Sequence, residues 1–83
     1  MMRIITNMYG YVRDIAYDYH DWYVIQLGKS TYILAFTENF DTNSMIAKGT
    51  KEEMVKLLSD ISQAYADGQV IFTVPERYTA DGI

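Results

Sequence analysis

Short-range alternation of apolar and polar positions dominates the first half of the chain, and a helical period replaces it once, after Thr50. Residues 3–6 are short and β-branched and predict a strand. Residues 10–17 alternate in part, with Val12 and Ile15 around Arg13 and Asp14, and predict a second. Asn7-Met8-Tyr9-Gly10 supplies the turn between them, because Asn and Gly tolerate the positive φ that tight turns need. Tyr17-Asp18-Tyr19-His20-Asp21 is polar and aromatic and reads as a loop. The clearest hairpin follows: Trp22-Tyr23-Val24-Ile25-Gln26-Leu27, the linker Gly28-Lys29-Ser30, then Thr31-Tyr32-Ile33-Leu34-Ala35-Phe36. Both arms are aromatic and β-branched. Residues 38–43 carry Asn, Asp and Thr without period and read as a loop, and residues 44–48 as a short strand.

Thr50-Lys51-Glu52-Glu53 matches a capping box, in which the Thr50 hydroxyl and the Glu53 carboxylate each take an orphan backbone N–H. Met54, Leu57, Leu58, Ile61 and Tyr65 then follow at helical spacing as one apolar stripe, and Gly68 ends the helix. Residues 69–74 read as a last strand stopped by Pro75, with residues 76–83 as a frayed tail. The expectation is a single α+β domain over residues 1–75. Its sheet would be antiparallel or mixed, with five to six strands and the one amphipathic helix packed on one face.

One helix covers one sheet face, yet the hairpin carries bulky residues on both. Tyr23, Ile25 and Leu27 oppose Trp22 and Val24, while Tyr32, Leu34 and Phe36 oppose Thr31, Ile33 and Ala35. Either the sheet curls into a partly closed barrel and buries both sets, or one tyrosine-rich face stays open for docking or for pairing with a second copy.

Charge narrows the partner classes. Eleven acidic and seven basic side chains among 83 residues leave a net charge of −4, and the basic residues form no stripe, which argues against direct nucleic-acid binding. Mimicry of a duplex by carboxylates is disfavoured too. The only adjacent acidic pair, Glu52-Glu53, is accounted for by helix capping. With no cysteine there is neither a disulfide framework nor a thiolate metal site. No stretch has the apolar length of a signal peptide or membrane span, so a soluble protein of the cytoplasm is expected.

Candidate chemistry gathers around Asp14, Asp18, His20 and Asp21, interleaved with Tyr17, Tyr19 and Trp22. Three carboxylates and an imidazole can hold a hard cation or move protons, but no EF-hand glycine and no second histidine accompany them, and no cofactor is expected. The five glycines are dispersed and form neither a P-loop nor a dinucleotide-binding fingerprint. The segment reads better as the acidic part of a binding surface.

Further residues carry a family resemblance: Met2-Arg3-Ile4-Ile5, Asp14-Ile15-Ala16-Tyr17-Asp18, Tyr32-Ile33-Leu34-Ala35, the run from Met45 through Glu53 into the helix, and Ile71-Phe72-Thr73-Val74-Pro75. In this order they cover about three quarters of the chain. The chain resembles a group of small, largely uncharacterised proteins encoded by phages and other mobile elements of Gram-positive bacteria. It departs from that group at Ala16, where proline is frequent. The resemblance implies a setting in which small acidic proteins inhibit host defence systems, anti-CRISPR proteins among them. The expected function is a non-enzymatic binding protein that blocks a host protein, such as a defence nuclease or CRISPR effector, in the host cytoplasm. Asp14, Asp18, Tyr19, Asp21, Trp22 and Tyr23 are expected to touch the partner, with Glu38 and Asp41 as second choices. The alternatives are a structural or regulatory homodimer of the mobile element and a small-ligand-binding protein.

Overall fold

A computed structural model describes residues 1–8, 10–39 and 42–79 of the chain. Strand β1 (Arg3–Met8) pairs antiparallel with β2 (Tyr11–Ala16), register Met8↔Tyr11 to Arg3↔Ala16. Both strands fill the region predicted for them, β1 running two residues further than the β-branched stretch. Gly10 in the connection has φ 74°, a conformation costly for a residue with a Cβ. Ile4, Thr6 and Met8 turn inward, and Arg3 and Asn7 outward. A 3₁₀ turn, Tyr17–Tyr19, then carries the chain across to the hairpin of β3 (Trp22–Gln26) and β4 (Tyr32–Asn39).

The segment expected to be a loop at residues 38–43 is instead largely strand. β4 runs to Asn39, β5 spans Thr42–Gly49, and Asn39↔Thr42 and Thr37↔Asn43 face each other. Of that segment, Phe40 and Asp41 lie outside the described residues. Cross-strand pairing outweighs the poor β-propensity of Asn39 and Asn43.

Helix α1 (Lys51–Ala66) forms as expected. The Thr50 hydroxyl accepts from Glu53 N–H at 3.1 Å, and the Glu53 carboxylate accepts from Thr50 N–H at 2.9 Å. At the other end Gly68 adopts φ 81°. Its N–H donates to Tyr65 C=O and that of Gln69 to Ala64 C=O, the doubled bond pattern of a Schellman stop. β6 (Ile71–Thr73) lies parallel to β1, with Ile4↔Phe72.

The six strands form two three-stranded sheets, β2-β1-β6 and β3-β4-β5, not one sheet of five or six. The turn after β2 takes the chain out of the first sheet. A single flat sheet would leave one bulky face in water, whereas two sheets fold their inner faces onto each other and onto α1. Met2 just before β1, Ile4 and Ile15 from the first sheet, Leu34, Phe36, Ile46 and Ala47 from the second, and Met54, Leu57, Ile61 and Ala64 from α1 pack in one core. Trp22, Val24 and Tyr32 pack against it. On the far side of the second sheet Ile33 and Ala35 are also buried, while Ile25 stays 39 % exposed. The arrangement is therefore closer to the curled alternative, with a partly open edge along β3.

Two further expectations are corrected. Within the expected tail, Glu76–Tyr78 forms a 3₁₀ turn and Tyr78 is buried in the core with Val74, so the packed unit extends past Pro75; residues 80–83 lie outside the described residues. The buried stripe of α1 is rotated toward Ala64, which leaves Tyr65 44 % exposed. Ala64 lets the helix approach the sheet closely, and Tyr65 finds a polar partner at the rim.

Candidate functional site

The rim beside Tyr65 is where the acidic-aromatic segment meets the helix. Tyr17 N–H donates to Met2 C=O at 2.9 Å, tying the 3₁₀ turn to the start of the chain, and Trp22 Nε1 donates to Tyr17 C=O at 2.9 Å. The Tyr17 and Trp22 rings are nearly parallel, 17° apart, with centroids at 5.6 Å. Trp22 in turn leans on Phe36 at 5.2 Å, so this pair is anchored to the core. From the helix, Tyr65 tilts against Tyr17 at 4.9 Å, and the Ser62 hydroxyl lies 3.4 Å from the Tyr17 hydroxyl. Between turn and helix a cleft of about 450 Å³ opens, lined by Tyr17, Asp18, His20, Asp21 and Trp22 on one side and Leu58, Ser62 and Tyr65 on the other.

Its electrostatics are one-sided, since no lysine or arginine is among those lining residues. Asp18 is held in place: one carboxylate oxygen accepts from Met2 N–H at 3.3 Å, the other from the Tyr65 hydroxyl at 3.2 Å. The Asp18 charge, and then that hydrogen bond, push the Tyr65 phenol above its ordinary pKa, because ionisation would place two anions side by side. The Asp21 side chain is exposed, and among the described residues it has no hydrogen-bond or ion-pair partner. His20 stands at the back. Its Nδ1 lies 3.3 Å from Thr37 C=O, and its ring is 4.7 Å from Phe36, which also carries the Arg13 guanidinium at 5.3 Å.

Ser62 has a phenol for its neighbour, not an imidazole, so the cleft offers no paired nucleophile and base. Among the described residues no group of three or more His, Cys, Asp or Glu side chains is placed to hold a metal ion. What the cleft does offer is fixed carboxylate acceptors beside aromatic faces, an arrangement that receives a polar or positively charged group.

The residues singled out in the sequence separate in space. Asp18, Asp21 and Trp22 line the cleft, and Tyr19, 72 % exposed, stands on the same turn beside it. Asp14 lies on the outer face of the first sheet, where its carboxylate meets Arg3 Nε at 2.7 Å. Tyr23 follows Trp22 in β3 and therefore points to the opposite side of the second sheet. Glu38 is in β4, and only its backbone is described; Asp41 lies outside the described residues.

Leu58, Ser62 and Tyr65 escaped the sequence reading. Their spacing of four and three residues marks one helix face. Nothing local says that this face meets residues 17–22. Of the expected apolar stripe, Leu58 packs against the core from its edge, while Tyr65 is exposed. Among the described residues no helix is long and apolar enough to cross a membrane. Comparison of the chain with models of known protein families, with curated protein sequences and with solved structures finds no match.

Proposed function

We propose that this chain is a non-enzymatic binding protein that inhibits a host protein by covering one of its functional surfaces, with the acidic-aromatic cleft as the contact. The observation that carries this reading is the joining of Asp18, Asp21, Trp22, Tyr17 and Tyr65 on one rim without a basic residue among them. Large aromatic side chains with polar handles are the groups that contribute most at protein interfaces. The net charge of −4 points the surface toward a basic partner. The resemblance to phage and mobile-element proteins supports a host defence nuclease, such as a CRISPR effector, as the class of target.

The test is a tagged pull-down from a Gram-positive host lysate, followed by an activity assay on the captured protein. Asp21→Lys and the pair Asp18→Lys/Asp21→Lys are compared with Asp14→Lys, which lies off the cleft. The expected result is one dominant nuclease, inhibited by the wild type and by Asp14→Lys but not by the cleft variants. Capture that survives both cleft variants, or a captured protein whose activity is unchanged, overturns the reading.

A second reading, a homodimer of the mobile element, is favoured by β3. Among the described residues this strand is paired only with β4, and the exposed Ile25 and Leu27 lie along and just beyond it. A sedimentation mass of two chains, reduced to one by Ile25→Lys, supports it; a single-chain mass at every concentration removes it.

A further inference from the structure

We propose that the cleft receives an arginine side chain of the partner protein, an inference that rests on the protein-binding reading above. The argument begins with sign. The lining carries Asp18 and Asp21 and no cation, so an anionic group entering it meets two negative charges and no compensation. Asp18 is oriented by Met2 N–H and the Tyr65 hydroxyl, which use two of its acceptor positions. A carboxylate has about four such positions, so Asp18 retains capacity for a further donor. Asp21 has no side-chain partner among the described residues and is available outright.

Shape and surface chemistry then separate arginine from lysine. The walls are the rings of Tyr17, Trp22 and Tyr65. A guanidinium is planar, weakly hydrated and able to stack on an aromatic face while its N–H fork engages a carboxylate. A lysine ammonium is compact and strongly hydrated and surrenders more solvation on entry. The fold already uses this pairing elsewhere. The Arg13 guanidinium lies 5.3 Å from the Phe36 ring centroid, and that of Arg77 lies 4.6 Å from the Tyr78 ring centroid. At about 450 Å³ the cleft also falls within the size of sites that enclose a small group, about 300–1,000 Å³.

The cleft contains its own reporter, because Trp22 is the only tryptophan in the chain. Its fluorescence is followed while the full chain is titrated with a capped Gly-Arg-Gly peptide, with the lysine analogue, and with the citrulline analogue, which keeps the planar shape and loses the charge. The expected result is a saturable change with the arginine peptide at concentrations about fivefold below those the lysine peptide needs, and none with citrulline. Asp21→Asn weakens the arginine response about tenfold. Asp14→Asn leaves it unchanged. Ser62→Phe, which fills the cleft from an exposed helix position without touching a carboxylate, abolishes it, with the melting temperature confirming that all three variants fold.

A flat arginine titration, an equal response to all three peptides, or a response that survives Asp21→Asn overturns the proposal. The two levels fail separately. A partner captured through the cleft together with a flat arginine titration removes the arginine assignment and keeps the binding reading. A saturable arginine titration with no captured partner removes the binding reading and keeps the cation chemistry of the cleft.

Discussion

Thr6 is a polar residue at an inward position of β1, 1 % exposed, and its hydroxyl donates to Ile46 C=O at 2.6 Å. The reason lies in β5. Leu34 pairs with Ala47 and Ala35 with Met45, so Ile46 is the extra residue of a bulge, and its carbonyl falls outside the regular ladder. Thr6 satisfies it and joins the two sheets. Thr6→Val keeps the shape and removes the donor, so it is expected to cost about 1–3 kcal/mol in chemical denaturation, with Thr6→Ser costing less. Tyr65 sets the second prediction at this scale. Asp18 raises its pKa in the folded chain, so folding favours the protonated phenol. That contribution is complete below the unfolded phenol value, about 10, and disappears as pH rises through the folded value. Urea midpoints measured across this range should therefore fall more steeply for the wild type than for Tyr65→Phe. Parallel curves would remove the Asp18 contact from the account.

At the scale of elements, the start of α1 couples a glycine to a cap. A Cβ built on Gly49 would meet the Glu53 carboxylate at 2.5 Å and Met54 Cε at 3.2 Å. The carboxylate can swing away, but only by releasing Thr50 N–H, which it holds at 2.9 Å. Gly49→Ala should thus destabilise by about 1 kcal/mol, the ordinary worth of a capping interaction. In a double-mutant cycle the effect should shrink once Glu53→Ala has removed the same bond, and full additivity would show that the glycine matters for another reason. The helix also illustrates how periodicity can be right about an element and wrong about its rotation. The apolar spacing from Met54 to Tyr65 locates α1, but the buried set ends on Ala64, because packing density favours the small side chain at the close approach.

For the whole molecule, residues 76–79 belong to the packed body. Tyr78 is 6 % exposed among core residues, and Arg77 covers its ring and bonds its hydroxyl at 2.7 Å. Tyr78→Ala should lower stability by about 3 kcal/mol, as other buried aromatic truncations do, with unfolding still a single transition. An effect below about 0.5 kcal/mol, the range of ordinary surface changes, would return the segment to the status of a tail. The candidate site belongs to this scale as well. Residues 17–22 carried the chemical signal in the sequence, and Asp18, Asp21 and Trp22 do share one cleft. Asp14 and Tyr23 are nearby in sequence but lie on other faces, because strand alternation sends neighbours apart.

The sequence by itself determined what short-range interactions govern. These are the α+β character, the two-residue alternation of the β3–β4 hairpin, whose paired residues are joined through one short linker and lie 6 to 14 positions apart, and α1 with its capping box and glycine stop, closed by contacts 3 to 5 positions apart. Tertiary structure alone decided how those pieces meet. Examples are the division into two sheets, the parallel pairing of β6 with β1, and the bonds Met2–Asp18, Thr6–Ile46 and Tyr65–Asp18, which span 16, 40 and 47 residues. The physical reason is that local backbone preferences carry no term for distant partners. Burying both faces of an 83-residue chain's strands does, and that requirement brought the helix edge and the acidic-aromatic turn together as a cleft.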